Sequence, residues 1–171
     1  MKFKADQAGF TLLELLLVVI ILAIITAAGV QMIAGQSVEQ NIKSEGHRLV
    51  KELNFMCEKS VFENRPFAIE FSEVGRQVLT HRQQKWWSLE GDQWPASALD
   101  SEVEWALFLQ GQPQSLSTTF DDKPHIICYP NGLLSAFELL IQPIGKQENT
   151  AIYRLASINP SQLQAGWLDE K

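Results

Sequence analysis

Residues 9–30 read GFTLLELLLVVIILAIITAAGV, and no other stretch restricts the chain so much. The 21 residues at positions 10–30 reach about 31 Å as an α-helix, against about 30 Å for the hydrocarbon layer of a bilayer. Leu12, Leu13, Leu15, Leu16 and Leu17 favour the helix, lipid tolerates the β-branched run at 18–21, and no proline occurs before Pro66. Lys2 and Lys4 precede the run and the next basic residue is Lys43, so the amino end should face the cytoplasm and the rest should be exported. Glu14 is the anomaly. A carboxylate there costs up to about 3 kcal/mol at mid-membrane and less near the surface.

Two ordinary explanations leave Glu14 without a purpose. A cleaved secretory signal would have a shorter apolar region, with Ala27-Ala28-Gly29 as a cleavage site, and a plain signal anchor would simply stay in the bilayer. Gly9 followed by Phe10, Thr11, Leu12, Leu13, Glu14 and an uninterrupted apolar run instead resembles the type IV pilin and pseudopilin amino terminus. The resemblance implies that residues 1–9 are a leader cut after Gly9 by a prepilin peptidase on the cytoplasmic side. It also implies that Phe10 becomes the N-methylated first residue, and that Glu14 pairs with the terminal amine of a neighbouring subunit during assembly. Such pairing is physically sound, because a nearby cation offsets much of the cost of a buried carboxylate. The competing account has Glu14 snorkel to the headgroups near the helix start.

Beyond Val30 the pattern changes but stays helical. Val38, Ile42, Leu49, Leu53 and Met56 recur at spacings of three, four or seven, while Glu39, Lys43, Arg48, Glu52 and Glu58 fall on other faces. Residues 31–64 are therefore read as an amphipathic half of the same helix, with Gly29, Gly35 and Gly46 as weak points where it could bend or partly melt. Residues 65–171 read as a β domain. Strands are expected at 67–71, 77–83, 85–89, 103–109, 126–129 and 137–141, with the last at 152–158. Turns are expected at Gly75, at Pro130-Asn131-Gly132, and around Pro143, Gly145 and Asn149, and residues 91–100 are expected as a surface loop. The fold class is α+β, a long helix with a transmembrane first half packed on an antiparallel sheet.

The stretches RPFAIEFSEVGRQVLTHRQQKWWSLEGDQW and CYPNGLLSAFELLIQ narrow the resemblance to the minor pseudopilin H family of the type II secretion system and its relatives among type IV pilus minor pilins. That resemblance, loose over residues 65–142, implies a low-copy structural subunit near the tip of a periplasmic pseudopilus that supports protein export. It implies partners too: the prepilin peptidase, the major and other minor pseudopilins, inner-membrane lipid and the inner-membrane assembly platform. The expected location is the inner membrane, single-pass, with the amino terminus cytoplasmic and the globular domain periplasmic. A type IV pilus minor pilin and a secreted periplasmic binding protein with an ordinary signal are the alternatives.

The composition agrees with a non-enzymatic part. A net charge of −6 without long single-sign runs excludes a basic nucleic-acid binder. His47, His81 and His125 sit in no HExxH, Ser/His/Asp or Cys/His setting, so no catalytic, metal or cofactor residue is assigned. Asp121, Asp122 and His125 in DDKPH read as a solvated turn rather than a ligand cluster. Trp86 and Trp87 should point to opposite faces of a strand, so at least one of them is expected in the core, with any exposed tryptophan among Trp86, Trp87 and Trp94 serving as a partner anchor. Cys57 and Cys128 are either bridged, as a periplasmic setting permits, or two buried thiols.

Overall fold

The computed structural model describes residues 12–89, 94, 96–145, 151–159 and 162–168, and only the backbone of residues 26–37 and 158. Two compact units result, Met1–Ser37 and Val38–Lys171. The helix α1, Leu12–Glu63, contributes to both and is helical through Gly29, Gly35 and Gly46, so none of these glycines melts it. It ends for a local reason. Asn64 adopts a left-handed conformation (φ 49°), its N–H bonds the Val61 carbonyl and the Arg65 N–H bonds the Ser60 carbonyl, which closes the last turn before Pro66 stops the helix.

In the second unit two antiparallel sheets share one core with α1. The first has the order β3-β2-β1-β7, with β4 also on β2; these are β1 Phe67–Ser72, β2 Gly75–Arg82, β3 Lys85–Ser88, β4 Ser97–Ala98 and β7 Ile126–Cys128. The second has the order β10-β9-β8-β5-β6, built from β5 Val103–Leu109, β6 Gln112–Pro113, β8 Phe137–Pro143, β9 Ile152–Asn159 and β10 Gln162–Leu168. Ile42, Leu49, Leu53 and Met56 of α1 are fully buried against Phe67, Ile69 and Phe71 of β1 and Leu107, Leu139 and Leu155 of the second sheet. Each such side chain contributes about 1.5–3 kcal/mol of burial. The Trp105 indole ties one sheet to the other, donating to the Ser72 carbonyl (2.8 Å) and standing edge-on to Phe71, with ring centroids 5.0 Å apart.

The strand expectations at 67–71, 77–83, 85–89, 103–109, 126–129, 137–141 and 152–158 correspond to β1, β2, β3, β5, β7, β8 and β9. Four expectations need correction. The strand over 152–158 is not the last, because β10 pairs along it from Leu168↔Ile152 to Gln162↔Asn159 through a register shift. Residues 91–100 are not all surface loop, since Trp94 and Ser97 are buried and β4 pairs with Gly75 and Arg76. Neither Trp86 nor Trp87 is core: Trp86 is half-buried against His81 and Trp87 is 52% exposed, because β3 is a sheet edge with nothing beyond it among the described residues. Pro143 closes β8 rather than a turn, and Asn149 lies outside the described residues.

Candidate assembly site

The first unit presents apolar surface. Every described large apolar side chain over 12–25 is exposed, from Leu12 at 83% to Val18 at 45%, and Glu14 sits in the first turn of α1 among them. Soluble folds do not leave such a continuous patch uncovered, so it is an association surface, for lipid or for other helices of the same kind. Among the described residues no helix is long and apolar enough to cross a membrane, and the expected span over 10–30 extends past the described side chains at both ends. Gly9 and Phe10, the expected processing residues, lie outside the described residues.

The second unit is fastened to its own length of α1 by three devices. Cys57 on α1 and Cys128 on β7 form a disulfide with Cα atoms 5.2 Å apart, and the neighbouring Ser60 hydroxyl donates to the Cys128 carbonyl (3.0 Å). Arg76 on β2 is fully buried, pairs with Glu45, and donates from Nε to Glu52 Oε2 at 2.7 Å. Glu52, expected on a face away from the core, therefore points into the helix–sheet junction. Gly46 forms the third, because a methyl at its α-carbon would overlap the Tyr153 ring, so α1 and β9 approach as closely as glycine allows. Tyr153 in turn meets His47 and Trp167 edge-on, and burial raises its hydroxyl above the usual tyrosine value.

Polar groups on the other side of β1 are covered as well. Glu70 is buried, accepting from the Asp121 N–H (2.7 Å) and from Gln77 (2.8 Å). His125 Nδ1 accepts from the Phe71 N–H at 2.9 Å, and burial holds the imidazole below its ordinary value even though the Glu70 charge pulls the other way. Burial alone would raise the Glu63 carboxyl, but the hydrogen bonds from Lys59 and Arg65 outweigh it and lower it. Asp121, Asp122 and His125 do not converge: Asp121 holds Lys123 at 3.4 Å and His125 serves the backbone. Among the described residues no group of three potential metal-ligating side chains occurs.

Comparison with known proteins matches both parts. Residues 4–30 fit the prokaryotic N-terminal methylation motif. Over 152 residues the chain is 27% identical to the type II secretion system protein H of Pseudomonas aeruginosa, covering 81% of this chain and 85% of that protein. The protein of the same name from Escherichia coli is 25% identical over 149 residues, covering 84% and 85%. In structure, the minor pseudopilin EpsH of the Vibrio cholerae type II secretion system superposes with a TM-score of 0.64 at 17% identity, over 78% of this chain and 99% of that one. Escherichia coli GspH superposes at 0.59 with 16% identity, over 75% and 89%. Leader motif, sequence and fold converge on one resemblance, to the minor pseudopilin H group of the type II secretion system.

Proposed function

We propose that this chain is a minor pseudopilin of the type II secretion system, a structural subunit with no catalytic role, held in the inner membrane by residues 10–30 until it joins the periplasmic pseudopilus near its tip. The observation that carries the reading is the contrast along α1: apolar side chains exposed over 12–25, then Ile42, Leu49, Leu53 and Met56 fully enclosed by a head. A helix whose described apolar side chains over 12–25 stand exposed needs lipid first and a bundle of like helices afterwards. In this mechanism the prepilin peptidase cuts after Gly9, Phe10 is methylated, and the amine of Phe10 on one subunit meets the Glu14 carboxylate of another. The assembly platform of the inner membrane and the other pseudopilins are the partners of that step, and the amino terminus starts on the cytoplasmic side.

Mass spectrometry of the mature protein from native membranes tests the reading. A terminus at N-methylated Phe10 is expected, and a terminus at Val30 overturns it. Glu14→Ala should still be cleaved yet stay out of the filament, as read by shearing and sedimentation; normal incorporation refutes the role given to Glu14.

A further inference from the structure

The β2–β3 hairpin ends in Arg82-Gln83-Gln84-Lys85, a tip poorly suited to stability. Both central residues are left-handed (Gln83 φ 50°, Gln84 φ 63°) where a two-residue hairpin favours Asn-Gly. Arg82 and Lys85 face each other as register partners, and like charges directly opposite destabilise a sheet. Neither has a carboxylate in ion-pair reach among the described residues, although the chain carries a net charge of −6. Trp87, two residues on, is 52% exposed on an edge strand. Departures from good local structure that persist together mark a functional surface, and Trp and Arg are what interface hot spots favour.

The fold also limits what can meet this tip. Asn41 bonds Asp100 and Arg48 bonds Ser97 of β4, which pairs with Gly75 and Arg76, so β2 begins where α1 enters the second unit. The His81 N–H reaches the carbonyl of Pro66, which follows the end of α1, so β2 finishes at the opposite end. Eight residues of strand separate the two ends by about 25 Å. The tip thus belongs to the end of the unit remote from where the apolar segment joins it, which favours a protein neighbour over lipid headgroups.

Resting on the pseudopilin reading above, we propose that the β2–β3 hairpin is a docking finger: Trp87 enters an apolar pocket on an adjacent, different filament subunit, and Arg82 and Lys85 engage carboxylates at its rim. The test is photo-crosslinking of the full chain in its native cell, with benzoylphenylalanine at position 87. The expected product is an adduct with another pseudopilin, mapped by mass spectrometry to an acidic segment. Charge reversal by Arg82→Glu or Lys85→Glu should cut that adduct about tenfold, whereas Arg82→Lys should keep it. Arg82→Glu also replaces the like-charge pair with an opposite one, so its head should melt slightly higher while docking falls, a combination that mere misfolding cannot give. An adduct to lipid only, to a second copy of this chain only, or one indifferent to charge reversal overturns the proposal. Methylated Phe10 with no adduct refutes the finger alone, a terminus at Val30 refutes the pseudopilin reading, and an adduct that persists in Glu14→Ala refutes only the role given to Glu14.

Discussion

Replacing Arg76 with methionine is the sharpest probe of how the head is joined to its helix. Arg76 is enclosed between β2 and α1, and its partners Glu45 and Glu52 are only 15% and 17% exposed. Methionine fills much of the same volume, so the cavity contribution is small and the loss comes from two carboxylates left facing an apolar group and each other. Removing one member of a buried ionic group costs about 3–5 kcal/mol, and the residual exposure of the glutamates places the expectation at about 3 kcal/mol. The triple variant Arg76→Met/Glu45→Gln/Glu52→Gln removes all the charge and should return to within about 1 kcal/mol of the parent. It also removes Nη2 of Arg76, a buried donor with no hydrogen bond among the described residues. Denaturant unfolding of the full chain in detergent micelles, followed by tryptophan fluorescence, measures both. If the single variant loses less than about 1 kcal/mol, or the triple variant is no better than the single one, the triad is not what joins these elements.

Three further outcomes follow from the same geometry. Gly46→Ala should destabilise the head by about 1–3 kcal/mol by overlap with the Tyr153 ring, and Tyr153→Leu should restore part of it; the unfolding midpoint reads both. Cys57→Ser should cost about 4 kcal/mol by the chain-entropy estimate for a bridge spanning 71 residues, read as the same loss on adding reductant to the parent and as no further loss on reducing the variant. His125 binds its proton less readily in the folded chain than unfolded, so the unfolded state holds more protons as pH falls. Stability should be full above about pH 6.5 and decline below it until the lowered folded value is passed, and His125→Gln should flatten that part of the stability profile.

Much of this architecture was readable because periodicity reports burial wherever one face of an element is covered. Phe67, Ile69 and Phe71 alternate and are all core, and Ile42, Leu49, Leu53 and Met56 keep helical spacing and are all core. That logic does not reach Glu70, on the alternate face of β1, because the chain around Ser117, Asp121 and His125 folds over the far side of β1 and buries that face too. It failed for β10 because Gln162, Gln164, Ala165 and Gly166 carry little strand preference and the strand lies exposed at an edge, where pairing with β9 supplies what composition does not. The pairing of Arg76 with Glu45 and Glu52 spans 31 and 24 residues of chain, and no local pattern encodes such a distance. Its one trace in the sequence was the seven-residue step between the two glutamates, two helical turns on one face, which an amphipathic reading assigns to solvent.

The three fastenings between α1 and the head differ in kind, and their positions along the helix explain why all three are present. Gly46 against Tyr153 is pure packing, Arg76 with Glu45 and Glu52 is ionic and straddles Gly46, and Cys57 to Cys128 is covalent and lies beyond both, toward the end of the helix. Extraction from a bilayer would load the helix from its apolar end, and packing contacts and ion pairs yield to such a load before a covalent bond does. A bridge placed last, about two turns before the Schellman closure at Asn64, therefore keeps helix and head together even if the earlier contacts open. Reduction should then leave the unloaded head folded when the remaining contacts suffice, yet lower the force at which α1 peels from the sheets in single-molecule pulling through the amino end. Equal peeling forces for the oxidised and reduced chain would refute this ordering of the three contacts.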